Sequence, residues 1–399
     1  MSLSRFHSPV ARAMEQNPLR PNWSMQRPGV LSLAFGFPDA ASFPYDDLGR
    51  VTRDLMAQRN ADALQYGPVS GPEPLRAFVA DWVRSTEGLP VGPEHVLITS
   101  GASQAIVLTA RLLVPAGGTI LVESPTFIGA LWFLRGLGLE VVGVPADEQG
   151  IDPEALEGTV QRLRTAGTEA NVVYTMPTVH NPIGTNASDT RRRELADLAQ
   201  RLDLALLEDD AYGDLIFDGS RPKALYALAG SERVIKMGTF SKLVAGGMRL
   251  GWALADPEDV ATMCSLKADS ASSPFAAWAA AEYLAGGALS ERVPALRTLY
   301  RARRDAMLEE LQPLARLGCT WTRPVGGFFV WLTLPEGVDS EAIRPTIEDH
   351  GVTYLAGHHC FADGARRRDI RLAYSYLPED QIREGVRRLV RGLEAVLAD

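Results

Sequence analysis

Short apolar runs and amphipathic stretches alternate along the chain between residues 94 and 256. The apolar runs are rich in branched residues with few polar interruptions, which is typical of strands buried on both faces. Residues 188–202 have helical periodicity, and Ser188 could cap their first turn. The alternation predicts an α/β layer with a mostly parallel, seven-stranded sheet. The predicted strands are His95–Thr99, Thr119–Glu123, Glu140–Val144, Asn171–Thr175, Leu204–Glu208, Arg233–Gly238 and Leu250–Ala255.

After residue 257 the pattern predicts mainly helices, over 257–268, 274–286 and 290–315. A smaller α+β unit is predicted beyond them, with its strands and helices mixed. We therefore divide the chain into a large domain, 46–288, and a small C-terminal domain, 289–399. The irregular, proline-rich segment 1–45 should pack on the small domain, which the two chain ends thus form together. The predicted elements of that unit are strands Cys319–Thr322, Gly327–Leu332, Val352–Leu355 and Asp369–Ala373, and helices 338–349 and 378–397.

Composition and charge exclude several classes of protein. The 399 residues are 46% hydrophobic and 22% charged, as in ordinary globular proteins. A net charge of −9 argues against a nucleic-acid partner, which requires clustered positive charge. No apolar run reaches the roughly 18 residues of a membrane span, and the first residues show no signal core. Three separated cysteines, Cys264, Cys319 and Cys360, fit a reduced, cytoplasmic protein.

Motifs for nucleotide and metal binding are missing from the sequence. Neither G-x-G-x-x-G after a strand nor G-x-x-x-x-G-K-[ST] occurs, which argues against nicotinamide and P-loop enzymes. Histidines cluster only in His358–Cys360. Three adjacent side chains diverge and cannot easily converge on one ion, so we predict no metal site.

Lysine is rare in this chain. Forty basic residues include only Lys223, Lys236, Lys242 and Lys267, so few side chains can supply an amine. One of them, Lys242, follows a predicted strand within Gly238–Trp252. This lysine could be a counter-ion or an amine that condenses with a carbonyl group.

The neighbours of Lys242 are suited to phosphate. Thr239 and Ser241 flank the lysine and Arg249 follows in a glycine-rich turn. Ser100–Gln104 ends one predicted strand and opens a helix, whose first N–H groups can bind an anion. A surface loop and a serine-capped turn are the ordinary structural explanations for the two segments.

Two more segments place polar side chains at strand ends. Asn181 lies in the loop Thr178–Gly184, where the following proline restricts it. An apolar strand ends in the carboxylates of Glu208, Asp209 and Asp210. Because side chains alternate along a strand, Asp209 should point away from the other two.

Together these four segments resemble the fold type I, aspartate-aminotransferase-like family of pyridoxal 5′-phosphate enzymes. The likeness is strongest to the branch of 2-aminoadipate and aromatic aminotransferases. It extends from Phe35–Asp39 to Arg371–Ser375, and the order of Ser-Lys, Asn-Pro-x-Gly and Asp-x-Ala-Tyr motifs is specific. It implies that the larger domain binds pyridoxal 5′-phosphate.

The resemblance implies three roles in the chemistry. Lys242 would condense with the cofactor aldehyde and then carry a proton to and from the substrate α-carbon. Asp209 would keep the pyridine nitrogen protonated, with Tyr212 as a third catalytic residue that hydrogen-bonds the phenolic oxygen. Arg371 would grip the substrate α-carboxylate in a bidentate fork.

The remaining implied contacts are with the cofactor or substrate. The phosphate would be held by Ala102, Ser103, Thr239, Ser241 and Arg249, the ring by Phe127, the phenolic oxygen and substrate by Asn181, and the substrate carboxylate by the backbone of Gly36. Tyr66 would reach the phosphate of a neighbouring subunit, which implies a homodimer with shared active sites. The chain departs from its relatives at Ala245–Gly247 and at Ala356–Phe361, where His358 and His359 are candidates for contact with substrate.

The resemblance implies an aminotransferase that moves an α-amino group between an amino acid and a 2-oxo acid, in biosynthetic amino-acid metabolism. A lyase, cyclase or racemase on the same scaffold is an alternative, because the site residues barely distinguish these reactions. The effector domain of a MocR-type regulator is a further alternative, but it requires a preceding DNA-binding segment, and fewer than about 50 residues precede the match. The donor and acceptor remain open.

Overall fold

The computed structural model describes residues 3–16 and 28–397 of the chain. Strands and helices alternate through its first two thirds, as predicted. The strands are β1 Leu31–Ser32, β2 Val96–Thr99, β3 Thr119–Ser124, β4 Glu140–Asp147, β5 Gly150–Ile151, β6 Val172–Thr175, β7 Ala205–Asp209, β8 Val234–Thr239, β9 Gly251–Leu254, β10 Thr320–Trp321, β11 Phe329–Thr333, β12 Val352–Thr353, β13 Leu355–Ala356 and β14 Asp369–Ala373.

Helices cover both faces of the large sheet and link it to a smaller one. They are α1 Pro9–Gln16, α2 Tyr45–Ala57, α3 Glu73–Glu87, α4 Ala102–Leu113, α5 Ile128–Gly136, α6 Pro153–Thr165, α7 Asp189–Leu202, α8 Leu225–Ala229, α9 Pro257–Leu266, α10 Pro274–Ala285, α11 Ala288–Leu311, α12 Arg344–Asp349 and α13 Glu379–Leu397. Within the two described ranges, no helix combines the length and apolar character needed to cross a bilayer.

The large sheet has the strand order β2-β9-β8-β7-β6-β3-β4-β5. Strands β3, β4, β6, β7 and β8 run parallel, whereas β9 is antiparallel to β8 and β2. The prediction of a mostly parallel sheet in an α/β fold is confirmed, but the sheet has eight strands rather than seven. The eighth, β5, pairs with the end of β4 over two residues, too short a run to leave an apolar pattern.

Burial explains why the apolar runs in the sequence predicted these strands. Every residue of β2, β6 and β9 is buried, so these strands carry an uninterrupted apolar run instead of an alternating one. The predicted helix at 188–202 is confirmed as α7, and its cap is Ser188, whose hydroxyl accepts a hydrogen bond from the Arg191 N–H at 3.2 Å.

The smaller sheet is antiparallel, in the order β10-β11-β14-β13, and β1 pairs with β12 beside it. The predicted strand Val352–Leu355 is divided, because β12 pairs with β1 while β13 pairs with β14. The predicted helix 338–349 begins only at Arg344. Before it, the Asp339 carboxylate accepts hydrogen bonds from the N–H groups of Glu341 and Ala342, a local turn that competes with helix.

The first 45 residues are less irregular than predicted. Helix α1 packs against α5 of the large sheet, and β1 joins the small domain through β12. The backbone of Leu33 continues this connection, since its N–H donates to Thr353 and its carbonyl accepts from Ala373. The N-terminal segment therefore bridges the two sheets on its way to the site described below.

Candidate active site

The polar side chains singled out in the sequence converge at one edge of the large sheet. The loops after β6, β7 and β8 begin at this edge, and β14 of the small sheet lies opposite them. Arg371 on β14 donates from Nη1 to Asn181 Oδ1 at 3.2 Å, and Lys242 Nζ lies 3.5 Å from the Gly36 carbonyl oxygen. The convergence brings together groups from residue 34 to residue 371.

Lys242 lies in a π-helical turn, Ser241–Ala245, that is separated from the end of β8 by one residue. Its ammonium nitrogen is 5.3 Å from the centre of the Phe328 ring and 5.8 Å from that of Tyr212. Burial, helped by the positive charges of Arg371 and Arg249, lowers the pKa of Lys242 to about 8. Near neutral pH a useful fraction of this amine is therefore uncharged and nucleophilic.

Asp209 ends β7 and is 1% exposed. Its Oδ2 accepts a hydrogen bond from the Tyr174 hydroxyl at 2.6 Å, while its Oδ1 is buried with no partner among the described residues. Burial raises the pKa of Asp209 to about 6, and the Tyr174 hydrogen bond opposes that rise. The carboxylate thus has one oxygen held and one oxygen available to a ligand.

The two carboxylates beside Asp209 have other partners. Glu208 accepts from the backbone N–H groups of Leu225 and Tyr226, at 3.1 and 3.0 Å. Asp210 pairs with Lys236 and Arg221, and these cations outweigh burial to hold its pKa well below the ordinary value. The strand therefore separates the three carboxylates as the alternation predicted.

Lys236 is a buried structural cation. It is 1% exposed and lies 2.5 Å from Asp210 Oδ2 and 3.1 Å from Glu87 Oε2. Burial lowers the pKa of a lysine, but Asp210, Glu208 and Glu87 more than reverse this and raise it above the ordinary value. A permanently charged amine cannot attack a carbonyl carbon, so this lysine differs sharply from Lys242.

One nitrogen of the Arg371 guanidinium has no partner among the described residues. Nη1 and Nη2 bond Asn181 Oδ1 and the Ala34 carbonyl, and the guanidinium lies 4.1 Å above the Phe329 ring. Its Nε is buried and unpartnered among the described residues. Because an arginine only donates, Asn181 presents its oxygen to it and keeps its amide N–H groups for another acceptor.

A buried carboxylate and a buried imidazole lie beside the loop that carries Asn181, and no sequence motif pointed to them. Glu123 on β3 is fully buried and accepts hydrogen bonds from the Thr175 hydroxyl and the Met176 N–H. His180 Nε2 lies 3.2 Å from Glu123 Oε1, while His180 Nδ1 accepts from the Ile183 N–H. A carboxylate inside an apolar strand was the available signal, since such a group needs a partner.

The predicted phosphate residues form a cradle where α4 begins. The first N–H groups of α4, at Ala102 and Ser103, have no helical carbonyl to bond. Arg249 Nη2 lies 3.2 Å from the Ser103 hydroxyl, and the Thr239 hydroxyl donates to Ser241 Oγ at 3.0 Å. Thr239 is in register with Gly251, whose backbone lies against the Ala102 nitrogen, so these donors and the guanidinium lie close together, which suits an anion.

Gly101 and Gly251 allow the cradle to close. Gly101 has φ +82°, and a Cβ there would lie 2.7 Å from Arg249. A Cβ at Gly251 would lie 2.7 Å from the Ala102 nitrogen. Any larger residue at these positions would displace the guanidinium or the helix start.

Four predicted residues have other neighbours. Phe127 precedes α5, its ring packed edge-on against Phe133. Tyr66 is 93% exposed on the surface. The rings of His358 and His359 lie on a turn beside Glu341, with their centres 3.9 Å apart and their planes tilted by 41°, and burial lowers the pKa of both imidazoles.

The turn that carries these histidines also contains Cys360, which points into an apolar cluster with Trp331 and Phe361. Glu341 joins the two histidines instead, its nearest oxygen 3.8 Å from His359 Nε2. Arg344 already bonds both oxygens of that carboxylate. The side chains whose possible ligand atoms lie close together are therefore those of His358, His359 and Glu341, and the adjacent Cys360 is not among them.

Comparison with known proteins gives consistent matches over nearly the whole chain. The family model for aminotransferase class I and II matches residues 29–389. Aromatic-amino-acid aminotransferase 1 of Thermococcus litoralis is 35% identical over 397 residues, which cover 99% of this chain and 95% of that protein.

Two solved structures have the same fold. Kynurenine aminotransferase of Pyrococcus horikoshii superposes with a TM-score of 0.93 at 34% identity, covering 99% of this chain and 98% of that one. LysN, the α-aminoadipate aminotransferase of Thermus thermophilus, complexed with N-(5′-phosphopyridoxyl)-L-leucine, gives a TM-score of 0.89 at 33% identity, with both chains fully covered.

The buried ionic group beneath the site predicts a large stability difference between two lysines. Lys236→Met leaves Asp210 and Glu87 without their cation, and breaking a buried pair costs about 3–5 kcal/mol of unfolding free energy. Lys223→Met, the same change at an exposed lysine, should alter stability by less than about 0.5 kcal/mol. Denaturant unfolding of both variants measures this, and equal midpoints would contradict the structural role of Lys236.

Proposed function

The chain belongs to the class I and II aminotransferases, and we propose which of its residues perform the transfer and on which substrates. It moves an amino group between an amino acid and a 2-oxo acid and takes pyridoxal 5′-phosphate as cofactor. The observation that supports our residue assignments is the convergence of Lys242, Asp209 and Arg371 at one edge of the sheet.

The polar groups at this edge fit the cofactor. The cradle of Ser103, Thr239, Ser241 and Arg249 suits its phosphate, with Ala102 contributing a backbone N–H, and the unpartnered Oδ1 of Asp209 suits a protonated ring nitrogen. When bound, the cofactor supplies an aldehyde and an electron-withdrawing pyridine ring. Phe127 is proposed to cover the ring face.

Lys242 is proposed as the amine that holds the cofactor and later moves a proton at the substrate α-carbon. A pKa of about 8 suits both tasks, because the group exchanges protons readily near neutral pH. Tyr212 and the free amide N–H of Asn181 would orient the phenolic oxygen. Burial raises the pKa of Tyr212, so its hydroxyl remains a donor throughout.

Arg371, with the backbone of Gly36, is proposed to bind the α-carboxylate of every substrate. The free Nε and the packing of the guanidinium on Phe329 leave a flat, fixed donor edge for a carboxylate. The named relatives act on aromatic amino acids, kynurenine and 2-aminoadipate, so we propose donors with long or aromatic side chains. We further propose that the reaction serves amino-acid biosynthesis in the cytoplasm, with which the free thiols of all three cysteines agree.

We propose a homodimer in which each chain lends Tyr66 to the phosphate site of the other. Apolar side chains gather on the surface where α2, α10 and the loop at residues 61–67 meet. A monomer rarely leaves so many exposed together, and a second copy would cover them. They are Tyr45, Met56, Leu64, Tyr66 and Phe275, exposed by 65%, 40%, 70%, 93% and 38%.

We also propose boundaries at residues 45 and 288. They separate the N-terminal segment, the large domain and the small domain, and the second boundary lies where the long helix α11 starts.

The role of Lys242 is tested by the half-reaction with a panel of donors. With wild type, aromatic amino acids, kynurenine or 2-aminoadipate should each change the visible absorbance of the loaded enzyme and release the matching 2-oxo acid. Lys242→Ala should lose at least about 10³-fold in turnover, because both the amine and the proton carrier are gone. Borohydride reduction and peptide mapping of wild type should label Lys242, and a label on Lys223, Lys236 or Lys267 would overturn the assignment.

Arg371→Lys tests the carboxylate fork. The charge remains but the two-pronged geometry is lost, so KM should rise about 10- to 100-fold for all donors and acceptors alike. Arg323→Lys, at an exposed arginine, is the control and should match wild type. Efficient turnover of amines that lack a carboxylate by the wild-type enzyme would argue against this role.

Shared sites predict complementation between two defective chains. A hybrid of Tyr66→Phe and Lys242→Ala chains contains one site with both lesions and one with neither, so mixing should restore activity towards half the wild-type value per hybrid. Arg371→Lys mixed with Lys242→Ala is the control, because both side chains belong to the same chain's site and no intact site can form. Sedimentation comes first, and a fully active monomer would refute the shared site.

A further inference from the structure

We propose that Tyr174 is a positioning residue for Asp209: its hydroxyl holds one carboxylate oxygen so that the other is fixed towards the cofactor ring nitrogen. This inference rests on the role proposed above for Asp209. Tyr174 lies in the interior of an apolar strand, Val172–Thr175, and nothing in the sequence pattern distinguishes it from a core aromatic.

The position of Tyr174 follows from the sheet. Strands β6 and β7 are parallel neighbours, with Tyr174 in register with Leu207, so its side chain points along the same face as that of Asp209 two residues later. The long phenol side chain spans this offset and brings its hydroxyl to 2.6 Å from Asp209 Oδ2. Both residues are buried, at 0% and 1% exposure, so water does not compete for the bond.

The phenol is a permanent donor in this place. Burial first, and then the adjacent Asp209 carboxylate, raise the pKa of Tyr174 well above 10, so its hydroxyl keeps its proton at every working pH. It can therefore bond only an ionised or otherwise accepting oxygen. By occupying Oδ2 it leaves Oδ1, the orphan atom, as the oxygen that a protonated nitrogen can reach.

Tyr174 also helps to keep Asp209 ionised. Burial pushes this carboxyl towards its neutral form, and the tyrosine hydrogen bond is the first of the effects that oppose burial. A neutral carboxyl could not hold a proton on the ring nitrogen, because it would no longer carry the opposite charge. The groups that influence the charge of Asp209 are Tyr174 on β6, Lys236 on β8, Asp210, Tyr212 and the Ala211 N–H after β7, and Lys242 after β8. Asp210 and Lys236 act from the opposite face of the sheet, where they pair with each other.

Neighbouring side chains cannot replace the phenol. Glu123 is held by Thr175, Met176 and the nearby His180, and it is in any case an acceptor. Lys236 forms ion pairs with Asp210 and Glu87 on the opposite face of the sheet. Among the residues that the structure describes, the hydroxyl of Tyr174 is therefore the side-chain donor to Asp209.

The test compares Tyr174→Phe with Tyr354→Phe in the loaded enzyme. Both variants remove one buried phenol hydroxyl from a 2.6 Å hydrogen bond, but Tyr354 bonds the Ser340 carbonyl in the small domain, away from Asp209. Tyr174→Phe should lower kcat about 10-fold while changing KM less than about twofold, as expected for a lost hydrogen bond to a charged group. Tyr354→Phe should leave both parameters near wild type.

Two readouts do not depend on turnover. The pH midpoint of the change in visible absorbance of loaded Tyr174→Phe should move up by about half to one pH unit. A protonated ring nitrogen is positively charged and disfavours a second proton on the cofactor, and this effect is lost when the nitrogen loses its proton. The dissociation constant of the cofactor should rise about 3- to 10-fold, from the same loss of charge complementarity. Neither quantity should change in Tyr354→Phe, although both variants should lose similar thermal stability.

Tyr174 would be only a packing residue if Tyr174→Phe matched Tyr354→Phe in midpoint, cofactor affinity and kcat. Asp209→Asn separates this result from a failure of the proposed function. A poorly active Asp209→Asn with a normal Tyr174→Phe would overturn the inference alone. A fully active Asp209→Asn would overturn the role of Asp209 and the inference with it.

Discussion

The need to give every buried charge a partner organises the centre of this molecule. Strand β7 ends in Glu208 and Asp209, Asp210 follows directly, and none of the three is more than 7% exposed. Because side chains alternate along the strand, Glu208 and Asp210 point to one face of the sheet, where Glu208 bonds backbone N–H groups of α8 and Asp210 pairs with Lys236. Asp209 points to the other face, towards Tyr174. The reactive edge is therefore built over an interior whose charges are already paired. Of these three carboxylates, Asp209 is the one with an oxygen that has no partner among the described residues.

Both chain ends are needed to complete that edge. Strand β1 of the N-terminal segment pairs with β12, and the chain then runs beside Arg371, which donates a hydrogen bond to the Ala34 carbonyl. At Gly36 a Cβ would lie 2.2 Å from the Phe329 ring, so glycine alone lets this backbone approach the small sheet and reach Lys242. The site is thus held between two sheets and depends on how they are joined.

Sequence reasoning found the parts whose signal is local. Continuous apolar runs identified the strands, and residue types next to strand ends identified Lys242, Asp209 and Asn181. It failed where the partner comes from far along the chain. Tyr174 looks like a core aromatic, and the value of Glu123 appears only with His180, 57 residues on, beside it. Strand β5 and the split of β12 from β13 depend on pairing between distant segments, which no local pattern records.

The distribution of the four lysines has a practical consequence. Lys236 and Lys267 are buried at 1% and 5% exposure, Lys242 is partly buried within the site, and Lys223 is the exposed lysine. A surface whose positive charge is almost entirely guanidinium is nearly inert to amine-directed reagents. In the cofactor-loaded protein, acylation of lysine side chains should therefore concentrate at Lys223, so a label attached by lysine chemistry would report on the loop before α8.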